Sequence, residues 1–251
     1  MFTLNQQHPI LRCVNIILFE TDKKDNFIEL TDFRASHILK VLKLKVGDTF
    51  KAGQINKFVG IAEIIAIDNN YIHYKWVEKE KATGENQITL IVGLVRPISM
   101  KRILRESGMF GIENIVVVGT DLGERSYKEA KLYKEGTYKK YLLDGAMQAG
   151  IATLPNFYLY DKLDNALSEI DSKSSKIIFD NVKGIKQIRD KKKFEDKVVI
   201  AIGSERGWSD KERQLFERES FDFFSMGRYI LRTETACCSA LALVLSTMGQ
   251  L

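Results

Sequence analysis

The run Gly227-Arg228-Tyr229-Ile230-Leu231-Arg232-Thr233-Glu234-Thr235 leads directly into the small, apolar stretch 236–244, which has the composition of a buried helix. Arg232 and Glu234 therefore stand at the mouth of that helix, flanked by two hydroxyls. Either Thr233 or Thr235 can serve as its N-cap. A capping box would need Glu or Gln three residues on, where Ala236 and Cys238 stand. Glu234 suits the positive end of the helix dipole, whereas a cation at Arg232 opposes it. An anionic substrate or Glu234 itself is expected to compensate, which makes this turn a candidate site for handling negative charge.

A second chemistry-bearing stretch is Gly203-Ser204-Glu205-Arg206-Gly207-Trp208, between an apolar strand-like run and the helical pattern 209–220. Its glycines let backbone approach a ligand closely, and Ser209 can cap the helix that follows. The loop is neither a P-loop nor a dinucleotide fingerprint. Two readings stand: a nucleotide-like ligand held on backbone amides, or a plain strand-to-helix turn.

Other chemistries find no pattern. Cys237 and Cys238 are adjacent within the apolar helix, and with one further cysteine they form neither a disulfide framework nor a zinc spacing. His8, His37 and His73 are far apart, so no metal is expected. No GxSxG nucleophile motif occurs.

Of 251 residues, 45% are hydrophobic and 28% charged, as in globular proteins. No apolar run approaches the ~20 residues needed to span a bilayer. The amino-terminal residues lack a secretory pattern, so a cytoplasmic protein is expected. The net charge of +5 is too mild and too evenly spread to establish nucleic-acid binding by itself.

Two regions must position these residues. Residues 1–80 read as short strands, 14–19, 58–67 and 71–77, with one helix over the run ASHILKVLKL. A compact barrel is expected. A charged, glycine-containing stretch, 78–87, reads as a linker. Residues 81–251 alternate fully apolar strand runs (88–95, 112–120, 156–160, 176–180, 198–203 and 221–224) with helical patterns at 99–110 and about 127–149. Such alternation indicates a parallel sheet covered on both faces. Ligands bind at the carboxyl ends of such strands, which singles out the loops after Asp180, Gly203 and Phe224.

The motifs IGSERGWSDKE (202–212) and MGRYILRTETACCSAL (226–241) together resemble the paired carboxyl-terminal motifs of the SPOUT methyltransferases. Within them, the chain is similar to the family that methylates N3 of a uridine in bacterial 16S ribosomal RNA. SHILKVLKLKVGD (36–48) and GMFGIENIVVVGTDLGERS (108–126) extend the likeness over nearly the whole chain. ILRTETA is its most specific part. The chain departs from the family pattern at Ser204 and Arg206, which replace a proline and a glycine. It departs again at Met147-Gln148, where no arginine follows, and at Ser99, in place of a common lysine.

The resemblance implies a PUA-like RNA-binding β-barrel over 1–80. It implies an α/β domain over 81–251 whose last segments form a trefoil knot, and a homodimer. S-adenosylmethionine would lie in the knot against Phe179, Asp180, Ile202, Gly203, Ser204, Glu205, Gly207, Met226, Gly227, Ile230, Leu231, Thr235 and Ala236. Arg12, Arg34, His37, Lys40 and Arg125 would contact the partner, 16S ribosomal RNA or the small ribosomal subunit. Arg232 would stabilise the anion formed as uracil N3 loses its proton, with Glu234 accepting that proton or orienting Arg232. Two alternatives carry other expectations: a SPOUT enzyme with a different RNA target, such as a ribose 2′-hydroxyl, and a non-catalytic RNA-binding protein of ribosome assembly.

Overall fold

The computed structural model describes residues 16–20, 26–82, 86–191 and 193–251. They divide into two compact units, one of Met1–Gly84 with Ala146–Thr153 and one of Glu85–Gly145 with Leu154–Leu251.

In the first unit, β1 (Ile17–Phe19), β2 (Phe27–Glu29), β3 (Thr49–Gln54), β4 (Phe58–Ile67) and β5 (Tyr71–Lys81) form a sheet in the order β1-β3-β4-β5-β2. Among the described residues only β1–β3 is a parallel pairing. Side chains alternate between faces, so Ala62 and Ile64 of β4 meet Ile72 and Tyr74 of β5 in one core. The β4–β5 turn is set by Asp68, whose carboxylate accepts from the backbone N–H of Asn70 and Tyr71 at 2.7 and 2.8 Å. The helix expected over ASHILKVLKL is two short pieces instead. They are α1 (Phe33–Ser36) and a π-helical turn, His37–Val41, stopped where Lys43 takes a φ of 56°.

The second unit holds β6 (Asn86–Gly93), α2 (Pro97–Met109), β7 (Ile112–Val118), α3 (Lys131–Lys134), most of α4 (Tyr138–Ala149), β8 (Asn156–Tyr160) and α5 (Leu163–Leu167). It continues through β9 (Ser175–Phe179), β10 (Lys186–Gln187), β11 (Val198–Ile202), α6 (Asp210–Arg218), β12 (Asp222–Ser225) and α7 (Thr233–Thr247). The strands make one sheet in the order β10-β12-β9-β11-β6-β7-β8, and every pairing among the described residues is parallel.

The apolar strand runs are explained by burial on both sides. Leu90, Val92, Ile200 and Ile202 pack with α2 and α7, whereas Ile91, Val199, Ala201 and Ile178 pack with α5 and α6. The single helix expected from about 127 to 149 is broken into a 3₁₀ turn (Arg125–Glu129), α3 and α4. Ala130 is extended, and Gly136 adopts a φ of +67°, a conformation that ends helices.

Candidate active site

β12, β9 and β11 are neighbours, so the three segments leaving their carboxyl ends converge. They enclose a cleft of about 500 Å³. Phe179, Asp180, Ile202, Gly203, Ser204, Glu205, Gly207, Met226, Ile230, Leu231 and Ala236 all line it, together with Arg232 and Glu234. Gly227 and Thr235 do not. Gly227 turns the chain beside the cleft at a φ of +116°, and Thr235 lies exposed on α7.

The 203–208 loop is tight for local reasons. A Cβ on Gly203 would lie 2.7 Å from the Gly207 Cα, and Gly207 has a φ of +73°. The Ser204 hydroxyl is buried, donating to the Gly207 carbonyl and accepting from Thr120, each at 3.3 Å. Ser209 caps α6 in a reciprocal box with Glu212. Glu205 reaches across to β6's exit, where its Oε1 accepts from the backbone N–H and Nε of Arg96 at 3.0 and 3.4 Å.

Beneath the cleft, Asp180 accepts from the backbone N–H of Val182 and Lys183 at 2.9 and 2.7 Å. It also receives the guanidinium of Arg213, and both side chains are buried.

At the third segment the structure corrects the expected capping. Arg232 is itself the N-cap of α7, Thr233 is the first helical residue, and neither threonine caps. Arg232 and Glu234 are not a pair. Glu234 is buried and accepts from Nη1 of Arg102 on α2 at 3.4 Å, whereas the exposed Arg232 has no ion-pair partner among the described residues. One turn along α2, Glu106 is pushed above the usual carboxylate range by burial and then by Glu234. Burial, followed by these two carboxylates, holds the Cys237 thiol well above its ordinary value. Cys237 is therefore a core residue and no nucleophile.

Asn181, Val182, Arg206, Trp208, Tyr229 and Thr233 also line the cleft; they belong to the loops singled out from the sequence without being named as contacts there, whereas sequence reasoning missed Arg96 and Arg213 altogether. Arg96 follows the carboxyl end of β6, so the strand-end rule could have found it. Arg213, inside a charged helix, carried no signal. Among the described residues no helix is long and apolar enough to cross a membrane, and no three His, Cys, Asp or Glu side chains gather as a metal site.

Residues 59–245 match the RNA methyltransferase domain family, and residues 30–75 the RNA methyltransferase PUA domain. Ribosomal RNA small subunit methyltransferase E of Treponema pallidum is 38% identical over 93% of this chain and 91% of its own length. The chain belongs to the ribosomal RNA small subunit methyltransferase E family. A second relative, ribosomal RNA small subunit methyltransferase E 1 of Borreliella burgdorferi, is 32% identical over 90% of this chain and 95% of its own. The fold is shared with the Neisseria gonorrhoeae ribosomal RNA small subunit methyltransferase E bound to S-adenosyl methionine. That structure has a TM-score of 0.77 and 21% identity, covering 92% of this chain and 97% of that one. A probable rRNA-methyltransferase from Porphyromonas gingivalis gives a TM-score of 0.79 at 19% identity, covering 94% and 98%.

The residues expected to touch RNA fall in both units. In the first unit, Arg34 pairs with Asp32, donates to the Leu18 carbonyl at 3.1 Å and lies 5.0 Å from the Phe19 ring centre. Arg34 and His37 share a pocket of about 230 Å³, into which Lys40 does not enter. The His37 Nε2 is buried there without a hydrogen-bond partner among the described residues. Arg125 is exposed in the second unit, and Arg12 lies outside the described residues.

Proposed function

We propose that this chain uses S-adenosylmethionine to methylate N3 of a uridine in 16S ribosomal RNA, working in the cytoplasm as a homodimer with a trefoil-knotted carboxyl-terminal domain. One observation carries the reading. The loops after β9, β11 and β12 form a single cleft, with a free guanidinium at Arg232 and a buried carboxylate at Glu234 in its wall.

The cleft fits an adenosyl cofactor. Its volume falls within the ~300–1,000 Å³ of small-molecule sites. Phe179, Ile202 and Leu231 supply apolar wall. The Gly203–Gly207 contact leaves no room for side chains where backbone must meet the ligand. S-adenosylmethionine supplies, when bound, an electrophilic methyl group on a cationic sulfur.

The protein must do the rest. Uracil N3 bears a proton and becomes nucleophilic only as that proton leaves, placing negative charge on the flanking carbonyl oxygens. The planar guanidinium of Arg232 matches two such acceptors and stabilises the anion. One carboxylate oxygen of Glu234 holds Arg102, and the other makes no hydrogen bond among the described residues. That second oxygen is the proton acceptor, a contribution typically worth ~10²–10⁴-fold. The knot and the dimer rest on the family resemblance. The pairing of β12, last in the chain, with β9 rather than with β11 accords with the knot.

The reading is tested by mass mapping of 16S RNA from a strain lacking the gene. A single uridine is expected to lose one base methyl group and to regain it on complementation. An unchanged map, or a lost ribose methyl group, would sink it.

A further inference from the structure

A second cavity of about 290 Å³ adjoins the cleft and shares Arg96, Ser204, Glu205 and Arg206 with it. Its other wall is the segment after β7, with Leu122, Glu124 and Tyr127. The charges of this cavity are not equally free. Glu205 is engaged by the backbone and Nε of Arg96, and Glu124 accepts from the Ser126 backbone at 3.1 Å. Among the described residues the Nη end of Arg96 makes no hydrogen bond, and Arg206, though near enough to help draw the Glu124 carboxyl below its usual range, makes no hydrogen bond or ion pair. Tyr127 is half-buried against the core, and its ring has no aromatic partner among the described residues. Two open guanidinium groups beside an unstacked ring suit a phosphate and a base together. Single-stranded RNA is gripped by stacking on aromatic side chains and by arginine forks on phosphate.

We propose that this cavity receives the nucleotide adjacent to the target uridine, its base against Tyr127 and its phosphate between Arg96 and Arg206. The inference rests on the methyl-transfer reading of the cleft. A shared wall is what two consecutive nucleotides of one strand require: the target at Arg232, its neighbour behind Arg206.

The test is steady-state methylation of unmodified 16S RNA by the full-length chain, with Arg206→Gln, Arg206→Lys, Tyr127→Ala and Tyr127→Phe compared across a salt series. Tyr127→Ala is expected to raise the RNA KM about tenfold, with Tyr127→Phe restoring it. Arg206→Gln is expected to reduce the slope of log affinity against log salt by about 0.7, the value for one phosphate contact on a single strand. Arg206→Lys should retain the slope, and cofactor affinity and kcat should stay near the parent's in the two Tyr127 variants. If Arg206→Gln keeps the parental salt slope, or weakens S-adenosylmethionine instead of RNA, the proposal is overturned. A parent chain that leaves uracil N3 unmethylated overturns the reading of the cleft, and this inference with it.

Discussion

Arg213 donates from its Nε to both carboxylate oxygens of Asp180, at 3.2 and 3.0 Å, and so fastens α6 beneath the exit of β9. Both partners are buried, and Asp180 simultaneously shapes the 181–183 turn that borders the cleft. Removing one member of a buried pair leaves the other uncompensated, at about 3–5 kcal/mol. Arg213→Met is expected to lower stability by that amount in chemical denaturation and to weaken cofactor binding. A loss below about 1 kcal/mol would show that the pair does not hold the floor of the cleft.

Arg232→Ala separates chemistry from binding. The guanidinium is exposed and unpaired, so its removal should leave the fold intact. Loss of one anion-stabilising donor lowers kcat about 10²–10³-fold. Calorimetry with S-adenosylmethionine should give the parental Kd. A variant that methylates at the parental rate would remove Arg232 from the mechanism.

Glu106 makes stability depend on pH. Its carboxyl is raised above the ordinary 4.5 by burial and by Glu234, while Arg102 opposes this. Both folded and unfolded chains are protonated below 4.5. As pH rises, the unfolded chain releases the proton first, so stability is lost through the window above 4.5. Glu106→Gln should therefore be more stable than the parent at pH 7, with the difference vanishing toward pH 4. Thermal unfolding across that range provides the measurement.

Gly203 admits no side chain, because the Cβ of Gly203→Ala would press on the Gly207 backbone at 2.7 Å. At Gly227, by contrast, an added Cβ meets nothing within 4 Å, and only its positive φ resists substitution. Gly203→Ala is expected to reduce cofactor affinity at least ~10-fold, against a smaller change for Gly227→Ala, where strain is ~1 kcal/mol.

The elements that sequence showed most clearly are those whose pattern reports a purely local fact. β6, β9 and β11 are legible because strands buried on both faces carry unbroken apolar runs. The three loops follow from them by the strand-end rule. What could not be read is pairing across distance. Arg232 and Glu234 look like partners, being two apart, yet residues two apart at a helix start face different sides, and Arg102 claims the carboxylate from 132 residues away. The broken helix 127–149 failed for a related reason. The pattern shows which residues would suit a helix and gives no sign that Ala130 extends the chain.

Chain order in the second unit bears on how the protein is made. Apart from Arg96, the cleft is lined by residues from Phe179 onward, and its last contributors, Arg232, Thr233, Glu234 and Ala236, open α7. The same helix supplies Cys237, Ala240, Leu241, Val244 and Leu245 to the core on one face of the sheet. A nascent chain therefore completes this cleft and this core layer in one event, as these 15 helical residues leave the synthesising ribosome. A copy that ends short of α7 lacks Arg232, Glu234 and this core layer together.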